Sequence, residues 1–171
     1  DDSLWWGLHN GRIYKRTAGG SVISVSEVCN KEGVFFDFST DGTLYAILWA
    51  QRETRSDPGP HSLYKLGADG EWIELADMTT QDPAITWALP VVGLDGSVYA
   101  IASIDGSTIS PTRTGSSFDA VLLYNGEGGF SLIGYDFPFD CCSAACDPTT
   151  GDIYFANSAG VYRFTPPQER N

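Results

Sequence analysis

The six residues Asp41-Gly42-Thr43-Leu44-Tyr45-Ala46 return 54 residues later as Asp95-Gly96-Ser97-Val98-Tyr99-Ala100, and again as Gly151-Asp152-Ile153-Tyr154-Phe155-Ala156. A chain that repeats at such a period folds as repeated units that bury their apolar faces against one another. A short apolar run precedes each copy: Val34 to Phe38, Trp87 to Val92 and Cys142 to Cys146. The glycine between run and copy supplies the positive φ of a tight turn, so each unit opens with a β-hairpin. In the two middle units, two more β-like runs joined by a glycine turn follow: Ser62 to Leu66 with Glu71 to Ala76, and Ala120 to Tyr124 with Phe130 to Tyr135. The repeating unit is therefore four strands, A to D.

Both ends of the chain are partial copies. Leu4 to Leu8, Arg12 to Arg16 and Ser21 to Val28 match strands B, C and D, while Cys142 to Cys146, the Ile153 run and Val161 to Thr165 match A, B and C. Strand B is apolar on both faces, with Leu44, Ala46 and Leu48 alternating with Tyr45, Ile47 and Trp49. Such a sheet has to be covered on both sides. Blades stacked around an axis achieve this without helices, and no segment shows a helical period. The expected fold is all-β and β-propeller-like, with four-stranded antiparallel blades, about three and a half of them. It forms a single domain over 1-171 with blade segments 1-30, 31-79, 84-136 and 140-171.

Asp147-Pro148-Thr149-Thr150-Gly151-Asp152-Ile153-Tyr154 resembles the D-x-x-G-x-[IL]-Y signature of β-propellers of the NHL, YWTD and gluconolactonase-like kind. The signature reports blade architecture and no particular activity. The gluconolactonase-like resemblance implies a divalent metal held by Glu, Asn and Asp on inner strands. Asp37, on an A strand, is the residue here that matches, and equivalent Asn and Glu partners are not evident. Otherwise Asp37 is a polar residue facing the central channel.

Strand A of the first blade and strand D of the last are absent, which leaves unpaired edges that invite another strand. A small distorted ring, two chains sharing a seven-bladed ring, and strand exchange into an assembly all remain open. Pro166-Pro167 cannot donate ladder hydrogen bonds. The expected partners are other copies of the chain or a complementary chain, with glycan as a further candidate.

The balance of 10 Lys+Arg against 22 Asp+Glu gives a net charge of −12, which repels nucleic acid and anionic membranes. No run approaches the ~20 apolar residues of a membrane helix, so no membrane insertion is expected. The chain starts at Asp1 and not at Met, which suggests a signal or pro-segment already removed or a chain known only from its ordered part, and its four cysteines form no CxxC pair, which suits disulfides in a secreted, extracellular protein. These are Cys29, Cys141, Cys142 and Cys146. In an extended strand the Cα atoms of Cys141 or Cys142 and Cys146 would lie ~13 to 17 Å apart, beyond the ~7 Å reach of a disulfide. Either Cys141 to Cys146 is bent, or Cys146 meets Cys29 while its neighbours form a vicinal bond or stay unpaired. Metal ligation by the cluster is the alternative.

Two B-to-C connections are long, Gln51 to His61 and Asp105 to Asp119, and both are expected on one face, where binding surfaces are built. The second carries Ser107, Thr108, Ser110, Thr112 and Thr114, a composition that accepts O-linked glycan and equally suits a plain polar loop. No N-x-[ST] sequon occurs. His9 and His61, the two histidines, read as surface or turn residues. Trp5 and Trp6 are adjacent and so point to opposite faces of a strand, either to stack on sugar rings, or to fill the space between blades or make a subunit contact. There is no GxSxG elbow, HExxH, phosphate-binding loop or EF-hand.

On these residues the chain reads as a non-enzymatic extracellular structural or binding module, a repeated subunit of a larger assembly. A carbohydrate-binding propeller lectin is the alternative, and a metal-dependent lactonase-like hydrolase comes third. No cofactor is expected apart from calcium, which the scattered acidic groups leave open.

Overall fold

The computed structural model describes residues 3–8, 12–26, 31–50, 61–82, 85–105, 117–137, 143–157 and 160–167. The described residues form strands and turns and no helix. Strands β1 (Leu4–Gly7), β2 (Ile13–Arg16) and β3 (Val22–Ser24) make the first sheet. The second holds β4 (Lys31–Phe38), β5 (Leu44–Ala50), β6 (His61–Leu66) and β7 (Trp72–Asp77). In the third are β8 (Ile85–Val92), β9 (Val98–Asp105), β10 (Ser117–Tyr124) and β11 (Phe130–Phe137). The fourth comprises β12 (Ser143–Cys146), β13 (Ile153–Asn157) and β14 (Gly160–Phe164). Every pairing is antiparallel between consecutive strands, which makes each sheet a meander. The expected propeller-like architecture of 3, 4, 4 and 3 strands is the observed one.

The sheets stack in chain order, β1 against β4, β4 and β5 against β8, and β8 against β12. Three apolar layers result. Ile13 and Trp5 of the first sheet pack with Leu44, Ala46, Leu48 and Tyr64 of the second. Ile47, Trp49 and Leu63 of the second pack with Ala88, Ala100, Ala102 and Ile104 of the third. Leu89, Tyr99, Ile101 and Val121 of the third pack with Ile153 and Phe155 of the fourth. One strand thus feeds two layers: Leu44, Ala46 and Leu48 face the preceding sheet, and Ile47 and Trp49 face the following one. At about 25 cal/mol per Å² of apolar surface, burial on both faces roughly doubles what one such strand contributes.

Alternation along β5, β9 and β13 puts the repeated tyrosines on the face that looks to the next sheet. Tyr45 packs into the layer between the second and third sheets, and Tyr99 into the next one, at 5% exposure. Tyr154 holds the same place on β13 and is 37% exposed. The third and fourth sheets also meet at Gly134 of β11, where an added Cβ would lie 2.8 Å from Cε2 of Phe164. Pro90 sits within β8, which as the edge strand of its sheet tolerates the missing N–H.

The repeated Asp residues work as turn clamps. Gly42, Gly96 and Gly151 have φ of 86°, 82° and 76°, the left-handed region that glycine enters without strain. Beside them a carboxylate oxygen of Asp41 accepts from Thr43 N–H at 2.8 Å, Asp95 from Ser97 N–H at 2.9 Å, and Asp147 from Thr149 N–H at 2.7 Å. The Ser39 hydroxyl and the Thr43 N–H hold the Asp41 carboxyl down at about 2. Asp147 is lowered by the Thr149 N–H, and Asp77 by the Thr79 hydroxyl.

Some expectations are corrected. His61 is no surface residue: β6 begins at it, and it lies 2% exposed and stacked on Trp49, its cross-strand neighbour. The second long connection is shorter than expected, since β10 already starts at Ser117, and β3 spans only Val22–Ser24. His9 lies outside the described residues.

Two outcomes follow from the layers and the turns. Tyr99→Ala costs ~3 to 5 kcal/mol and Tyr154→Ala about 1 kcal/mol or less, measured by urea unfolding in dilute solution. For Asp41 the folded value lies below the ordinary 3.8, so its contribution is present above 3.8 and is lost as pH falls towards about 2. In Asp41→Asn, which keeps an acceptor for Thr43 N–H, unfolding midpoints between those two pH values show a shallower fall than in the parent chain.

Candidate functional site

The C-terminal ends of β4, β8 and β12, the inner strands of three successive blades, converge on a cleft of about 260 Å³. Phe36, Asp37 and Phe38 enter it from β4, Pro90 and Val92 from β8, and Ala144, Ala145 and Cys146 from β12. The lining is mixed, with Ser39 and Thr40 beside the apolar side chains, and the one carboxylate among these strand residues is Asp37.

Asp37 spans two blades. One carboxylate oxygen accepts from the N–H of Phe38 at 2.8 Å, and the other from the N–H of Val92, on the neighbouring inner strand, at 2.8 Å. Burial raises its carboxyl above the ordinary 3.8, and the N–H groups of Val92 and Phe38 pull it back down. The Cys146 thiol is raised by burial, against a hydrogen bond from the Leu94 backbone, with Asp37, Asp147 and Asp95 adding to the rise. It is free and donates to the Asp147 carbonyl oxygen at 3.6 Å. The disulfide expected for Cys146 is therefore absent from the structure. Its candidate partners Cys29, Cys141 and Cys142 lie outside the described residues.

The donor set does not suit a divalent metal. Asp37 is the one carboxylate among the strand residues of the cleft, burial holds the neighbouring thiol protonated, and the other strand residues carry apolar side chains. Among the described residues no group of three or more His, Cys, Asp or Glu could hold a metal ion.

Trp5 and Trp6 point to opposite faces, as two successive strand residues do. Trp5 fills the space between the first two sheets, 4.9 Å from the ring of Phe38 and with the Lys15 ammonium 4.8 Å from its own. Trp6 is on the other face, stacked on Tyr14 at 5.7 Å. Trp49 stacks on His61, and Phe35 lies 5.4 Å from Trp49 and 5.8 Å from Trp87, bridging the second and third sheets. Ser107, Thr108, Ser110, Thr112 and Thr114 fall outside the described residues. The strand ends that carry both long connections, Ala50 with His61 and Asp105 with Ser117, lie at the same end of their sheets, opposite the cleft.

The cleft role of Cys146 was missed in the sequence, where it reads only as a disulfide partner. The signal lies in the repeat: Phe38, Val92 and Cys146 each end an A strand. Asp37 stands where the other copies have Val91 and Ala145, a lone charge in an apolar position.

No family model matches the sequence, and no curated protein matches it. Among solved structures, the chain is similar to the X-ray structure of a candidate gluconolactonase, at 17% identity and a TM-score of 0.51. That match covers 94% of this chain and 54% of the other. It is also similar to a luciferin-regenerating enzyme, at 16% identity and a TM-score of 0.46, over 97% of this chain and 74% of that one. The chain thus spans about half the length of the first of these structures. The expectation of a non-enzymatic extracellular structural module is corrected by this likeness: the propeller that the chain resembles is described as an enzyme, in line with the third, lactonase-like alternative. What the likeness establishes for this chain itself is the β-propeller fold.

Proposed function

We propose that the cleft at the ends of β4, β8 and β12 is a hydrolytic site for a small cyclic ester, with Asp37 as its general base. The observation that carries this reading is a carboxylate drawn above its ordinary range by burial at the wall of a cleft, the arrangement in which a carboxylate serves as a proton acceptor. The candidate gluconolactonase of the same fold supports the substrate class. Each Asp37 oxygen spends one lone pair on a backbone N–H and keeps another for a water molecule.

In the reaction, Asp37 takes a proton from water as the water oxygen bonds to the ester carbonyl carbon. The ring C–O bond then breaks, and the leaving alkoxide takes that proton back, so the product is an open hydroxy acid and Asp37 is regenerated. The apolar side chains of Phe36, Phe38 and Val92 on one part of the lining favour the uncharged lactone over the charged product and so assist release. Cys146 is no nucleophile here, because burial keeps its thiol protonated.

The lectin alternative finds less support. Trp5 is taken up between blades, Trp49 is 5% exposed, and Trp87 packs against Phe35.

Assays of the purified chain on aldonolactones of five- and six-membered rings check the proposal. Turnover rises with pH through the raised value of Asp37, because the base works only when ionised, and Asp37→Asn lowers kcat by ~100-fold or more. Equal turnover in parent and variant would sink it. Asp37→Asn also costs about 1 to 3 kcal/mol in urea unfolding, since an amide presents its NH2 to one of two backbone N–H groups. The carboxylate's own proton linkage has the opposite sign to that of the turn aspartates. Its raised folded value gives stability that is present below 3.8 and lost as pH rises through the folded value. Circular dichroism on each variant separates lost chemistry from lost structure.

A further inference from the structure

Inside the chain, each sheet offers its follower a face built on one position of strand B: Trp5 in the first sheet, Tyr45 in the second, Tyr99 in the third. Among the described residues the fourth sheet presents the same face with no sheet packed on it. Tyr154 and Ala156 of β13 share it with Ala145 of β12 and Val161 of β14, and Val161 is 72% exposed. The converse holds at the other end. Leu44 and Ala46 of the second sheet, and Ile153 and Phe155 of the fourth, face their predecessors. In the first sheet the equivalent face carries Leu4 at 63% exposure, Val22 at 56% and the stacked pair Trp6 and Tyr14.

We propose that these two faces are the halves of one interface, and that the fourth sheet of one copy receives the first sheet of a second copy of this chain. The occupant follows from the repeat. The open face of the fourth sheet is equivalent to faces that three times within the chain are filled by a blade of this kind, and the open face of the first sheet is equivalent to faces that three times do the filling. Contact between the two copies therefore continues an interface the chain already makes. A head-to-tail contact closes when a two-fold axis relates the copies, so that each copy gives one face and takes the other. The charge of −12 on each copy opposes the pairing at long range, so it tightens as salt rises.

Light scattering on the purified chain tests the pairing. A particle of about 37 kDa, twice the 18.5 kDa chain, is expected, and it persists to lower protein concentration in 0.5 M salt than in 0.05 M salt. Val161→Asp and Leu4→Asp each put a charge into one half of the interface and weaken association about 100-fold or more, with circular dichroism unchanged because both side chains are exposed in the single chain. An equimolar mixture of the two variants returns to about 37 kDa, through the one contact in which both parent faces survive. A single variant that remains paired overturns the head-to-tail arrangement. A parent chain that scatters at 18.5 kDa up to about 0.5 mM overturns the second copy as occupant.

Discussion

Strands β5 and β9 are apolar on both of their faces, and the rest of the structure depends on that. Ile47 and Leu48 are adjacent in β5 and both fully buried, one facing the third sheet and one the first. No single sheet can hide both. A stack of sheets does so, and the order of the stack follows from chain order because each connection runs from the outer strand of one sheet to the inner strand of the next. Small residues set the spacing: Ala88, Ala100, Ala102 and Ala120 form much of the wall that meets Ile47, Trp49 and Leu63. Large side chains on one sheet thus enter a shallow surface on its neighbour, as close packing requires.

The fold was legible because two independent signals agreed. Alternation in Leu44 to Trp49 demanded cover on both faces, and the Asp-Gly pairs placed the hairpins between strands A and B. Gly42 and Gly96 have the positive φ that a type of turn closed in so few residues needs, and Asp41 and Asp95 cap it with side-chain hydrogen bonds. Both signals are local. Where a residue's environment is set by contacts far along the chain, the sequence misled: His61 follows a Pro-Gly-Pro stretch and reads as loop, yet its place is fixed by pairing with Trp49 in the strand before.

Asp37 was legible as a candidate, and its environment was not. A charge among Val34, Phe35, Phe36 and Phe38 marks a polar demand inside an apolar strand. Its partner, the N–H of Val92, is a backbone group 55 residues away and carries no sequence signature. The metal implied by family resemblance fails for the same reason. Motif comparison sees a carboxylate on an inner strand, whereas the structure shows one of its oxygens taken by the N–H of Phe38 on the same strand and the other engaged in holding β4 to β8, with no group of three or more His, Cys, Asp or Glu to hold a metal among the described residues.

That engagement ties the cleft to the stack. The bond from Val92 to Asp37 bridges two blades at the cleft, between β4 and β8, the edge strands of their sheets. A carboxylate is suited to this because it accepts at both oxygens, and burial then sets its proton affinity. Stronger burial would raise the carboxyl further and weaken the ionic bridge, while freer access of water would restore the bridge and return the carboxyl to its ordinary range. A group held between those limits is at once structural and able to take a proton. The long connections, carried at the opposite end by Ala50 with His61 and Asp105 with Ser117, can therefore vary in length without disturbing it, since the cleft is made of strand ends and tight turns alone.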